Sequence, residues 1–213
     1  MYIFTRRTRL GGTQPGREAM AWAVEITEKV NQISDLSFRL YTHMFSAGVG
    51  TLTWGCLSPD LAALEAVSDK LAADDGFAAL SDRGQKFTTG ELDDTLLQVV
   101  HNEPDASTNP EYIVAVTGLQ RPGELAKGLE VGVKVAEAAS RITGARTAFG
   151  VSASGNYGGV AWVTGFENVG AMEAANNALG ADESFLKLVD HEASKCFESG
   201  PGTTVQTIYR RVV

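Results

Sequence analysis

The feature that most limits what this chain can fold into is an internal repeat: the second half follows the first in order. Tyr2-Ile3 is matched by Tyr112-Ile113, Pro15-Gly16 by Pro122-Gly123, Gly55 by Gly165 and Glu65-Ala66 by Glu173-Ala174. Ala73-Asp74 is matched by Ala181-Asp182. Phe77, Leu80, Asp82 and Phe87 are then matched by Phe185, Leu188, Asp190 and Phe197, with Thr95 and Thr207 near the two ends. The order never changes and the offset drifts by only a few residues. Ordered matches along a whole chain mark a duplicated supersecondary unit. The seam is Asn102-Glu103-Pro104-Asp105-Ala106-Ser107-Thr108-Asn109-Pro110, polar and without periodicity, which is linker chemistry. The sequence therefore divides into a first repeat over 1–101, a linker over 102–110 and a second repeat over 111–213.

Each repeat reads β-α-β-β-α-β. In the first, Tyr2 to Arg9 is a strand, and Pro15 sits at a helix start, where its missing N–H costs nothing. Ala19, Trp22, Ala23, Ile26, Val30 and Ile33 recur at helical spacing and predict one apolar face. Leu36 to Ser46 and Val49 to Cys56 read as a hairpin. Asp60 reads as the N-cap or first-turn acid of a second helix with a buried stripe of Leu61, Leu64, Val67 and Leu71. Phe77 to Phe87 continues it, and Leu92 to Val100 is the last strand. In the second repeat Tyr112 to Thr117 is a strand, and Leu125, Leu129, Val133 and Ala136 predict the inward face of a helix. Arg146 to Ala153 and Val160 to Gly165 form a hairpin through Gly155-Asn156-Tyr157-Gly158-Gly159. Met172, Ala175 and Leu179 lead into Phe185, Leu188 and Val189, and Val205 to Val212 closes the unit.

A β-α-β-β-α-β unit is ferredoxin-like, with both helices on one sheet face. Strands such as Thr51-Leu52-Thr53-Trp54 and Val160-Ala161-Trp162-Val163 carry apolar residues at both parities, so the other face needs cover as well. The expected fold is α+β, with two tandem ferredoxin-like repeats forming one pseudo-symmetric α/β barrel.

Composition excludes several function classes. The 213 residues are 44% hydrophobic and 21% charged, which are globular values, and the formal charge is −8, which repels phosphate backbones and excludes nucleic acid as the expected partner. Arg6, Arg7 and Arg9 read as the solvated face of the first strand. Cys56 and Cys196 belong to no metal-ligand spacing and read as reduced, buried thiols, so no metal is expected. The N-terminus lacks the order of a secretory signal and no stretch is long enough for a membrane span, so a soluble cytoplasmic protein, with a homo-oligomer left open, is expected.

The arrangement of elements resembles the dimeric α+β barrel superfamily. That group includes antibiotic-biosynthesis monooxygenases, small polyketide cyclases, IsdG-type haem-degrading oxygenases and NIPSNAP-like proteins. Most are homodimers of one unit; this chain resembles a fused pair, over nearly its whole length. The resemblance implies a substrate cleft between sheet and helices. It also draws attention to His191, because the haem-degrading members place a haem-ligating histidine on the corresponding helix; Arg83 takes that position in the first repeat. Those members also use a first-strand asparagine and a third-strand tryptophan. Trp54 and Trp162 match the tryptophan, but neither first strand offers the asparagine.

Other residues stand out by chemistry. By strand alternation Arg39, Tyr41, His43 and Phe45 share one face, and an arginine, a tyrosine and a histidine in line can orient a polar substrate and move a proton. The second repeat has Thr147, Phe149 and Val151 there, so the sequence points to a pocket in the first half, with Trp22, Trp54 and Trp162 as aromatic walls. Asp74-Asp75 and Asp93-Asp94 read as caps and exposed turns, and His101 as solvent-facing. The chain lacks the motifs GxSxG, HExxH and GxxxxGK[ST]. Three functions are therefore carried forward. The first is a cofactor-independent monooxygenase- or cyclase-like enzyme acting on a small, largely apolar or aromatic molecule. The others are a haem-binding or haem-degrading protein using His191 or His43, and a non-catalytic ligand-binding or assembly protein.

Overall fold

The computed structural model describes residues 1–11 and 16–213. The helix-opening role expected of Pro15 lies outside the described residues. The elements of the first repeat are β1 (Tyr2–Leu10), α1 (Gly16–Ile33), β2 (Arg39–Met44), β3 (Thr51–Ser58), α2 (Leu61–Ala72), α3 (Asp75–Gly84) and β4 (Thr88–His101). The second repeat gives β5 (Tyr112–Leu119), α4 (Leu125–Thr143), β6 (Thr147–Ser152), β7 (Gly159–Phe166), α5 (Val169–Ala181) and α6 (Glu183–Leu188). It ends with a π-helical turn (Val189–Ala193), a short helical turn (Ser194–Cys196) and β8 (Val205–Arg211). The strands are hydrogen-bonded in the order β1-β3-β2-β8-β5-β7-β6-β4, which closes on itself as a barrel. The duplicated α+β pattern read from the sequence is thus the pattern of the fold.

The chain forms two compact units, one of residues 1–96 and 209–213, the other of residues 97–208. The residues of β4 and β8 are divided between the two units. In the first unit β4 lies beside β1, with Thr8 Oγ1 donating to Glu91 O at 2.8 Å, and the end of the chain pairs with β2 through Leu40 and Val212–Val213. In the second unit Leu97 and Gln98 of β4 pair with Ser152 and Val151 of β6.

The same local chemistry starts corresponding helices in both units. Asp60 accepts from Ala63 N at 2.8 Å and Asn168 from Ala171 N at 2.9 Å; Asp74 accepts from Phe77 N at 2.7 Å and Asp182 from Phe185 N at 2.8 Å. Each cap satisfies an amide that the helix itself leaves without a partner. The Asp74 carboxyl is held below its usual range by its hydrogen bond from Lys29, helped by the Phe77 amide.

Some boundaries differ from the sequence reading for identifiable reasons. β2 begins at Arg39 rather than Leu36 because Asn31 clamps the preceding residue: its amide donates to Phe38 O at 2.8 Å and accepts from Phe38 N at 2.7 Å. β2 ends at Met44 because Phe45 turns to φ 49°, which takes it out of the strand and off the face of Arg39, Tyr41 and His43. The helical segment expected over Phe77 to Phe87 runs instead over Asp75–Gly84. Asp93 and Asp94 lie within β4 rather than in a turn, and Asp94 takes a two-pronged contact from Arg6, Nε at 2.8 Å and NH2 at 2.7 Å.

Of the inward face expected for α4, Ala136 is fully buried and Val133 packs partly buried against the core, whereas Leu125 is only partly covered. The buried positions are Gly128, Val131, Gly132, Ala136 and Ala139, and Leu129 is exposed. Apolar counting overlooked glycine as a contact residue. A Cβ at Gly132 would fall 2.1 Å from Cζ of fully buried Phe149, so the missing side chain lets helix and sheet approach. Gly132→Ala is expected to destabilise the protein by about 1–3 kcal/mol through overpacking, although alanine is the better helix former by ~1 kcal/mol. Chemical denaturation measures this, and an unchanged midpoint would show that Phe149 moves aside freely.

Candidate functional site

The second unit holds a cavity of ≈ 630 Å³ between the helix-facing side of its sheet and the helices above it. Strand alternation supplies its floor. Val114 and Val116 of β5 lie opposite Thr164 and Trp162 of β7, and Thr164 lies opposite Thr147 of β6. Helix α4 contributes Val135, Ala139 and Thr143, and Phe185 and the π-helical turn close the far side. Trp162 is a fixed wall: its Nε1 donates to Gly132 O at 2.8 Å, and its ring packs against Phe149 and Phe197, each at 5.2 Å. The Thr147 and Thr164 hydroxyls are 2.9 Å apart.

The π-helical turn has a visible origin. The stretch from Phe185 to Phe197 is two residues longer than its counterpart from Phe77 to Phe87. A π turn accommodates extra residue in a helix, and such turns are frequent at functional sites. Here it brings Val189, Asp190 and Ala193 to the cavity, and Ser194 Oγ donates to Asp190 O at 2.5 Å.

The corresponding place in the first unit is packed with larger side chains. Where the second unit has Val114 and Thr147, the first has Phe4 and Phe38, whose rings meet edge-on at 6.3 Å; strand register thus sets Arg39, Tyr41 and His43 against Ala148, Gly150 and Ser152, one residue on from the expected Thr147, Phe149 and Val151. The buried positions of α1 (Ala19, Trp22, Ala23, Ile26, Thr27, Val30) have the same spacing as Gly128, Val131, Gly132, Val135, Ala136 and Ala139 of α4. Ile26 and Val30 therefore stand where the second unit has Val135 and Ala139. Val30, Phe38, Cys56 and Val67 form one buried cluster, with Phe4, Leu64, Leu71 and Phe77 packed against it. Burial pushes the Cys56 thiol up to about 12, so it carries no thiolate at neutral pH.

Arg39, Tyr41 and His43 alternate with Leu40, which packs beside Trp54 and Trp22, so they occupy the sheet face turned away from the helices. Tyr41 and His43 are buried. His43 Nε2 is 3.1 Å from Thr53 Oγ1, its Nδ1 is 3.4 Å from Ala47 O, and Tyr209 packs edge-on against the ring at 4.8 Å. With Nδ1–H donating to Ala47 O, Nε2 accepts from Thr53. Burial, and secondarily the charge of Arg7, lowers the His43 pKa; the Tyr41 phenol is raised by burial against the opposing pull of Arg39 and Arg211.

The remaining candidates are scattered. Phe45 is 73% exposed beyond the end of β2. Trp22 and Trp54 cross at 6.0 Å, their N–H groups engaged by Leu80 O and Thr27 Oγ1. Arg83 pairs with Glu25. His191 is exposed on the π turn and is not part of the cavity lining, whereas Trp162 is. Two smaller readings are corrected. The first-strand arginines are not a uniform solvated face: Arg6 is half-buried against Asp94, the Nε of Arg7 is buried without a hydrogen bond, and Arg9 alone of the three is exposed. His101 is not fully solvent-facing, since its Nε2 is buried, 3.8 Å from Glu137 Oε1. Cys56 and Cys196 are both free and buried. Among the described residues no group of three or more His, Cys, Asp and Glu could hold a metal ion, and no helix is long and apolar enough to cross a membrane.

Thr147, Thr164, Phe185, Phe197 and Asp190 line the cavity without having been singled out as site residues. The available signal was comparative: smaller residues in the second repeat at matched positions, and the two-residue gain before Phe197.

Comparison with solved structures finds this fold in proteins of low sequence identity. A candidate monooxygenase from Fusobacterium nucleatum subsp. nucleatum aligns with a TM-score of 0.72 at 9% identity, over 100% of this chain and 92% of the other. An anthrone oxidase-like protein gives 0.63 at 12% identity, over 100% and 91%. A variant of chlorite dismutase from Candidatus Nitrospira defluvii gives 0.56 at 12% identity, over 98% and 91%. At these identities the likeness shows the fold, in agreement with the resemblance to α+β barrels. No protein-family model matches the chain, and no curated protein matches it in sequence.

The lowered His43 pKa sets a sign for pH dependence. The unfolded chain takes up a proton near pH 6.5 that folded His43 resists, so the stabilisation is present above that pH and declines as pH falls below it. Melting temperature is expected to fall between pH 7 and pH 5, and His43→Gln to flatten that fall. Parallel slopes in both proteins would remove His43 as its cause.

Proposed function

We propose that this chain is an enzyme acting on a small, largely apolar or aromatic molecule held in the cavity of the second unit, in the manner of cofactor-independent monooxygenases and cyclases. The observation that carries the reading is the cavity of ≈ 630 Å³, walled by valine, phenylalanine and Trp162 with a few polar groups among them. Small-molecule sites have this size and character: about 300–1,000 Å³, mostly apolar, with few placed polar groups. The first unit supports the reading by contrast, because the same elements there close over Phe4 and Phe38. Neighbours of the same fold that are candidate monooxygenases or an anthrone oxidase-like protein favour the same class.

Two other arrangements compete as seats of function. The row Arg39, Tyr41 and His43 belongs to the first unit and lines no part of this cavity; turnover lost in His43→Ala or Tyr41→Phe with folding retained would move the chemistry there. Haem, which the superfamily resemblance brings into question, does not fit the cavity. Its lining offers no His, Cys, Tyr, Met or Lys as an axial ligand and no Arg or Lys for propionates. A ligand-binding protein without catalysis shares the cavity and differs only in turnover.

The test is to rebuild the first unit's filling in the second. Val114→Phe with Thr147→Phe is expected to weaken binding of naphthalene-sized probes by at least about tenfold while the protein stays folded, because the added rings occupy the cavity. Undiminished binding in a folded double variant would place the ligand elsewhere. Hemin is expected to keep its free absorbance in the presence of the protein. A saturable Soret shift abolished by His191→Ala would establish haem ligation instead.

A further inference from the structure

We infer that the ligand of the second unit's cavity is uncharged and carries a carbonyl oxygen, which the Thr147–Thr164 hydroxyl pair receives, while Asp190 and Glu198 exclude carboxylates. The inference rests on the cavity reading above and adds the chemical class of the molecule. Two observations lead to it independently.

The first is the state of the hydroxyl donors. Thr143 Oγ1 donates to Ala139 O at 2.8 Å, Ser194 Oγ to Asp190 O at 2.5 Å and Thr203 Oγ1 to Gly200 O at 2.8 Å, so three lining hydroxyls are engaged by the backbone, while the remaining lining donors outside the floor, Ser199, Thr204, Asn176 and Gln206, are on exposed residues that water reaches. Thr147 and Thr164 bond only to each other through their hydroxyls, at 2.9 Å. A pair of hydroxyls has two hydrogens and uses one between them. The other is left on a floor walled by Val114, Val116 and Trp162, with Thr147 only 3% exposed. An unused donor in apolar surroundings is costly unless the ligand brings an acceptor.

The second is charge. The ionisable groups lining the cavity are Asp190 and Glu198, both acidic. None of the neighbouring cations enters the lining: Lys134 holds Glu192 at 2.9 Å, Lys187 lies 3.5 Å from Glu183, Arg121 donates from Nε to Phe197 O at 2.9 Å and from NH2 to Ser199 Oγ at 3.4 Å, and Lys195 is exposed. A carboxylate entering here would lose hydration and meet like charge. A ketone of the same shape would do neither.

Three probes of one shape test this by equilibrium dialysis: 2-acetylnaphthalene, 2-naphthoate and 2-ethylnaphthalene. The ketone is expected to bind at least about tenfold more tightly than the acid, the scale of a like-charge penalty near a surface. In Asp190→Asn with Glu198→Gln the naphthoate should gain until the gap is within about threefold, with ketone binding unchanged. Thr164→Val should weaken the ketone by about tenfold, the scale of one lost hydrogen bond, and leave the hydrocarbon unaffected. Equal binding of acid and ketone by the wild type, or an unchanged gap in the Asn/Gln variant, would overturn the charge argument. Equal ketone binding by Thr164→Val would overturn the hydroxyl argument. If none of the three probes binds, the cavity reading itself fails and takes this inference with it.

Discussion

One interaction fixes the spacing between helix and sheet in both units: the indole N–H of the third-strand tryptophan is tied to the first helix. In the first unit Trp54 Nε1 donates to Thr27 Oγ1, and in the second Trp162 Nε1 donates to Gly132 O, each at 2.8 Å. A buried donor without a partner costs about 1–3 kcal/mol, so the indole cannot simply turn away. Once it is held, the helix sits at a set height over the strands, and the remaining space is decided by side-chain volume. Gly132 makes this strict in the second unit, because its backbone both meets Phe149 and accepts from Trp162.

The two units then diverge by volume within one backbone plan. The first fills the space with Phe4, Phe38, Ile26 and Val30, while the second has Val114, Thr147, Val135 and Ala139 at the matching positions. An opening between packed elements gives up dispersion contacts that a filled core would keep. The first unit demonstrates that this chain can build the filled version. The smaller residues are therefore not a requirement of the fold, and under the proposed reading they are what a ligand displaces. The π turn belongs to the same divergence: the first unit's α3 ends at Gly84 against Trp22, whereas the second carries extra residues there and sets Asp190 at the cavity.

The fold was legible because its signals are ones that sequence carries well. Ordered repeats such as Ala73-Asp74 with Ala181-Asp182 gave the duplication, and Asp60 announced a helix start that its carboxylate does cap. Departures arose where the deciding feature was small or local. Glycine made the inner face of α4, Asn31 delayed β2, and a left-handed Phe45 ended it. The cavity was harder to read because its floor is valine and threonine, which any buried strand can carry. Attention went instead to Arg39, Tyr41 and His43, whose chemistry is conspicuous in a string of letters but whose side of the sheet faces away from the helices. Of the aromatic walls expected, Trp162 lines the cavity, and Trp22 and Trp54 are held in the first unit's core.

The composition of the lining bears on what kind of chemistry suits it. It holds no histidine, lysine, cysteine or tyrosine, so it offers no strong nucleophile. Its protein contribution is shape, apolar walls, the buried hydroxyl pair, a rim of exposed hydroxyls and side-chain amides, and two carboxylates. Such a site assists a molecule that already carries its own reactivity, by holding one conformer and by accepting a proton from an already acidic position. It does little for an inert one. Under the proposed reading the substrate is then an activated carbonyl compound, where a hydrogen bond to oxygen and a nearby base act on the same conjugated system. That requirement and the charge of the lining select the same class of molecule by separate physical routes.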